Sequence, residues 1–170
     1  GYTDLGIKGV GVFQASEQQA KQHAFYEPLI CLMGQGAKRC HVGESAFTYE
    51  SGDFFINFLP MPVSTEIVEA QESKPLLSAS LGIDLVRLAD MVLRIERIEG
   101  RRKENASQSS SSLVIGKADD ELVDLFIKLL KLSGNPMDAQ ILGEPVIDEI
   151  YYRLLTSEHG YALRTLLSQY

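Results

Sequence analysis

At 170 residues and 45% hydrophobic, the chain is long enough for one domain or two small ones and apolar enough to bury a core. Its formal net charge of −7 excludes an unaided grip on nucleic acid, since backbone phosphates demand a basic surface. No run of about 18 apolar residues is present to span a bilayer. The opening "GYTDLGIKGV" lacks the basic stretch and apolar core of a secretory signal, so no membrane partner and a cytoplasmic location are expected.

From Ile7 to Ile83 the apolar residues recur with period two. "VGVFQAS" alternates and "PLICLM" is a short apolar run. "AKRCHV" and "SAFTYE" flank Gly43-Glu44, a hairpin signal. "GDFFINFL", "VSTEIVEA" and "PLLSASLGI" complete a set of roughly seven short, closely spaced strands, the pattern of an antiparallel sandwich or barrel. Two cysteines, Cys31 and Cys40, lie in these apolar runs and read as reduced, buried thiols.

The second half changes period. "DLVRLADMVLRIERI" places Leu85, Leu88, Val92 and Ile95 on one helical face, with Asp84 as N-cap. "EGRRKENASQSSSS", residues 99–112, is too polar to order itself and predicts a flexible linker loop. "DDELVDLFIKLLKLSG" is a helix with acids at its start, lysines near its end and Gly134 as its stop. Leu122, Leu125, Phe126, Leu129 and Leu130 form a stripe that Val123 and Ile127 widen beyond what one buried face needs. Val123, Phe126, Ile127 and Leu130 are therefore the expected dimerisation residues, unless Asn135–Thr156 covers both faces with its own Val146, Ile147, Ile150 and Leu154. Asn135-Pro136 and Pro145 each mark a helix start. "YALRTLLSQY" reads as a helix without a stop signal, as expected of a fragment of something longer.

Glycines 34, 36, 43 and 52 punctuate the strand region. A phosphate loop requires a helix after the glycines, and here "GQGAKRCHV" runs into another strand despite Lys38. No metal site is expected: His41 has no histidine or carboxylate two residues away on its strand. No catalytic residue is expected either, because Cys40 and His41 are adjacent on a strand and point to opposite faces. The glycines therefore turn corners between strands, and no cofactor is called for.

Two segments carry a family resemblance. "YEPLICLMGQGAKRCHVGESAFTYESGDFFINFLPMPV", Tyr26 to Val63, resembles the opening of the regulatory domain of AraC-type bacterial transcription regulators, in particular a subgroup with a Y-E-P start and a G-x-K-R step. "ILGEPVIDEIYYRLLTSEHGYALRTLL", Ile141 to Leu167, resembles the P-x-I-x-E-I-x-x-R-L-L segment that precedes the DNA-binding half in that subgroup. The resemblance implies an α+β chain: a small cupin-like antiparallel β-barrel followed by a helical subdomain that dimerises. It implies effector sensing, with DNA bound only through C-terminal helix-turn-helix units absent from this chain. The implied division is residues 1–98 for the barrel and first helix, 99–112 for the linker and 113–170 for the helical subdomain. Strand parity groups Leu29, Cys31 and Met33, then Phe47 and Tyr49, then Leu77, Ala79, Leu81 and Ile83, with Ser78 and Ser80 opposite. Cys31, Met33, Phe47, Tyr49, Leu77, Ala79 and Leu81 are the expected barrel lining. It is either a filled core or a greasy pocket for a small apolar or aromatic effector, with Tyr49 and Cys31 as polar handles. The rival readings are a cupin-type enzyme, which the shortage of histidines opposes, and a stand-alone interaction domain.

Overall fold

The computed structural model describes residues 1–100 and 113–167. Nine strands precede the first helix: β1 Tyr2–Asp4, β2 Val10–Ala15, β3 Gln19–Tyr26, β4 Leu29–Gln35, β5 Ala37–Val42, β6 Ser45–Glu50, β7 Asp53–Asn57, β8 Met61–Glu69 and β9 Leu76–Gly82. Then follow α1 Leu85–Glu99, β10 Leu113–Lys117, α2 Asp120–Leu132, α3 Pro136–Leu155 and α4 Gly160–Leu167. Neither β1, β3 nor β10 is signalled by alternation in the sequence. The proposed linker falls almost wholly on residues 101–112, outside the described residues.

All strand pairs are antiparallel, in a six-stranded sheet ordered β1-β2-β9-β4-β7-β10 and a four-stranded sheet ordered β3-β8-β5-β6. The cupin-like barrel implied by the resemblance is not formed as a closed barrel, and the two-sheet alternative left open by the strand spacing is the one observed. Among the described residues no ladder joins the edge strands of one sheet to those of the other. One reason lies in β3, whose polar residues are largely exposed and whose register with β8 shifts between Gln19 and Gln22, an irregularity that spoils an edge for further pairing. Gly36 and Gly52 carry the chain from one sheet to the other, whereas Gly34 lies inside β4 and turns no corner. Gly36, at φ +86°, links β4 to β5 where a Cβ would sit 2.6 Å from the Glu69 carbonyl oxygen. Gly43 differs, closing the expected β5–β6 hairpin with Val42 opposite Ser45.

The sheets face one another across a core of Met33, Cys40, Phe55, Val63 and Leu76. The other face of the six-stranded sheet packs Ile30, Leu32, Phe54, Ile56, Ala79 and Leu81 against the helices. Strands β4, β7 and β9 are thus covered on both sides, which explains why "LICLM" and "FFIN" read as continuous apolar runs.

The helices have the local signals expected of them. The Asp84 carboxylate caps α1 by accepting from the Val86 and Arg87 amides at 3.1 and 3.2 Å. Leu88, Met91, Val92 and Ile95 are buried, whereas Leu85 is half-buried. Asp119 caps α2 through the Leu122 amide at 2.8 Å, and Asn135 caps α3. Pro145 does not start a separate helix: α3 runs unbroken from Pro136 to Leu155. Proline removes one helical hydrogen bond. The helix is held there by Val146, Ile147 and Ile150 in the core and by Arg87 of α1. Arg87 donates to the Glu144 carbonyl at 2.8 Å and meets the Asp148 carboxylate at 2.9 Å. The Tyr151 hydroxyl accepts from the Asp84 amide at 3.0 Å, joining α3 to the cap of α1.

Candidate functional site

Between the two sheets lies a cavity of about 820 Å³, within the range of small-molecule sites. Its wall draws Phe13 from β2, Tyr26 from β3, Leu29 and Cys31 from β4, Lys38 from β5, Tyr49 from β6, Thr65 and Ile67 from β8, and Ser78 and Ser80 from β9. Gln14, Ser16, Glu17, Gln19 and Gln22 also line it. An aromatic group anchors the inner wall. Phe55 stacks on Phe47 at 5.7 Å and Tyr49 at 5.8 Å, and Tyr26 meets it edge-on at 5.8 Å.

Burial governs the titratable groups of this wall. It pushes the Cys31 thiol up, partly offset by the Lys38 ammonium, with Ser78 and Tyr49 within hydrogen-bonding reach of the sulfur. It pushes the Cys40 thiol up to about 11, and raises the Tyr26 and Tyr49 phenols. It lowers Lys38, whose charged form the two neighbouring thiols favour. At neutral pH the lining therefore presents the protonated Cys31 thiol, protonated phenols, serine and threonine hydroxyls and one lysine. Such a wall suits binding through dipoles and apolar contact better than thiolate chemistry.

Of the residues expected from strand parity, Cys31 and Tyr49 line the cavity. Met33 and Phe47 belong to the adjoining inter-sheet core. Leu77, Ala79 and Leu81 do not line it, and the face assignment of β9 is reversed. Leu77 is 40% exposed, while Ala79 and Leu81 point to the helices. The register fixes this, because Cys31 stands opposite Ser80 while Leu32 stands opposite Ala79. Paired residues share a face, so Ser80 and its strand-mate Ser78 belong with Cys31. Lys38, Tyr26 and Phe13 were also missed; alternation puts Lys38 on the face of Cys40, and the structure turns that face inward.

His41 lies on the outer face of the four-stranded sheet, where its Nε2 meets Glu66 Oε1 at 2.7 Å. Cys40, its neighbour in the chain, is fully buried on the inner face. Among the described residues no three His, Cys, Asp or Glu side chains cluster as metal ligands, and no described helix is long and apolar enough to cross a membrane.

The expected dimerisation residues divide. Phe126 is 1% exposed and belongs to the core of its own chain, because α2 packs there beside α3. Val123 and Leu130 are half-buried against that core. Ile127 is 44% exposed. On α3, Met137 and Ile141 are exposed as well.

Residues 6–162 match the model of the AraC-type transcriptional regulator N-terminus, so the chain belongs to that family. No curated protein matches it by sequence. Among solved structures it is similar to ToxT from Vibrio cholerae strain SCE256 with an unsaturated fatty acid bound, at TM-score 0.56 and 8% identity, covering 86% of this chain and 52% of that one. It is also similar to ToxT from Vibrio cholerae O395 bound to (E)-4-(8-methylnaphthalen-1-yl)but-3-enoic acid, at TM-score 0.54 and 6% identity, covering 83% and 55%. A third likeness is to the AraC-like transcriptional activator CuxR, at TM-score 0.53 and 12% identity, covering 98% and 54%. At these identities the likeness is one of fold, and the chain spans about half the length of these proteins.

Proposed function

We propose that this chain is the effector-sensing and dimerising part of a cytoplasmic AraC-type regulator. In this reading the two-sheet hollow fills the role of a cupin-like barrel, and DNA is bound by helix-turn-helix units outside this chain. The observation that carries the reading is the 820 Å³ cavity between the sheets, whose wall mixes aromatic rings with a few hydroxyls. The ToxT structures bound to an unsaturated fatty acid and to a naphthyl-butenoic acid support an effector with an apolar or aromatic body. A thermal-shift screen of aliphatic and aromatic compounds against sugars tests it. Apolar compounds should raise the melting temperature, and Ser80→Phe, which puts a ring into the hollow, should reduce the rise. Stabilisation by sugars alone would reject the apolar reading.

The partner in this proposal is a second copy of the chain. Ile127, Met137 and Ile141 supply exposed apolar surface on α2 and α3, and doubling such surface across a two-fold axis offsets the cost of association. Light scattering on Ile127→Glu should report a folded monomer. An unchanged dimer would place the interface elsewhere.

A further inference from the structure

Lys38 is a cation turned inward in an acidic chain. On β5 it shares the inner face with fully buried Cys40, and it is itself half-buried. Its ammonium lies 4.1 Å from the centre of the Phe13 ring, inside the cavity wall. Three other cations meet carboxylates: Lys117 pairs with Asp53 at 3.5 Å, Arg153 with Glu121 at 3.1 Å and Arg87 with Asp148 at 2.9 Å. Among the described residues no carboxylate pairs with Lys38. Glu17, the one acid of the lining, is exposed and makes no ion pair with it.

A half-buried ammonium facing aromatic rings, hydroxyls and neutral thiols lacks the counter-charge that compensates desolvation. A neutral sugar in the hollow would leave it so, and a cationic ligand would worsen it. An anion supplies what is missing, while Phe13, Tyr26, Tyr49 and Leu29 offer apolar wall to the rest of the molecule. We propose that Lys38 is the anion-binding residue of this cavity and that the effector is an amphipathic acid, a single anionic head on an aliphatic or aromatic body. This rests on the effector-sensing reading above. Burial holds Lys38 below the usual lysine range, and a bound anion would favour its charged form.

The test compares acids with their uncharged counterparts: decanoate with decan-1-ol, and 4-phenylbutanoate with 4-phenylbutan-1-ol, by calorimetric titration of the whole chain. The acids should bind about tenfold or more tightly than the alcohols. Lys38→Met keeps the stem over Phe13 and should reduce acid affinity to that of the alcohol. Lys38→Arg should keep the preference, and Arg39→Met, on the outward face, should not alter it. Equal binding of acid and alcohol by the unmodified chain, or a preference that survives Lys38→Met, overturns the anion site and leaves effector sensing standing. Binding of neither acid nor alcohol overturns both. If Lys38→Met does not fold, the acid–alcohol comparison on the unmodified chain decides alone.

Discussion

The two faces of the six-stranded sheet are built by alternate residues of the same strands and have different characters. On β9, Ala79 and Leu81 enter a dry, continuous core with Leu88, Phe126, Leu129 and Ile150, while Ser78 and Ser80 face a hollow. On β4, Leu32 joins the first side and Cys31 the second. The helix side supplies most of the packing that holds the fold. The sheet side gives up some of that packing to keep space open, and polar atoms are tolerated there because the space is open.

The largest effect should come from a deletion on the dry side. Phe126→Ala empties a fully buried site and should cost about 3–5 kcal/mol in urea unfolding, since the surrounding helices relax only in part. A loss below about 1 kcal/mol would mean that α2 leaves this core readily.

Adjacent residues of β9 sharpen the contrast. Ala79→Ser puts an unpartnered hydroxyl among apolar side chains and should cost about 1–3 kcal/mol. Ser80→Ala, one residue on, should stay within about 0.5 kcal/mol of the unmodified chain. Equal costs at the two positions would break the distinction between the faces.

The smallest effect belongs to a third surface, the outer face of the four-stranded sheet. The hydrogen bond from His41, helped by Arg39, holds the Glu66 carboxyl below its ordinary range. Its folded value lies under its unfolded one, so its contribution is present above the unfolded value and is lost as pH falls through the folded one. Between about pH 6 and about pH 3 the unmodified chain should therefore lose stability slightly faster than Glu66→Gln in urea titrations. Parallel curves would show that the pair contributes nothing.

How much of this was legible depended on where each signal resides. Asp84, Asp119 and Asn135 announce their helices because a cap is a local arrangement. Family membership was legible in "YEPLICLM" and "PVIDEIYYRLL", the latter forming the end of α3 that packs Ile147, Ile150 and Leu154 into the core. The side of β9 that faces the cavity was not legible. Parity separates its two faces without saying which is which, and when both are covered the more apolar face points to the larger core, here the helical one. Strand β3 was missed because an exposed edge carries polar residues without alternation. Pro145 misled because a proline that starts a helix and one held inside it by Arg87 and the core look alike in sequence. Lys38 was weighed only as part of a phosphate loop. Its importance comes from the lack of a carboxylate partner, which only the assembled sheets reveal.

The order of the six-stranded sheet also bears on how the chain is made. Strands β2 and β4 do not pair with each other; both pair with β9, which begins only at Leu76. A chain emerging from the ribosome at about 5–20 residues per second can pair "LICLM" with β7 first, and leaves the other edge of that strand open for seconds until β9 arrives. The β5–β6 hairpin, closed by Gly43, can assemble at once from neighbouring residues. The nascent chain thus has an early element, the β5–β6 hairpin, and a six-stranded sheet that waits for β9 and then for β10. The interval between them is when β4 is most open to pairing with another chain, and when a chaperone has the most to protect.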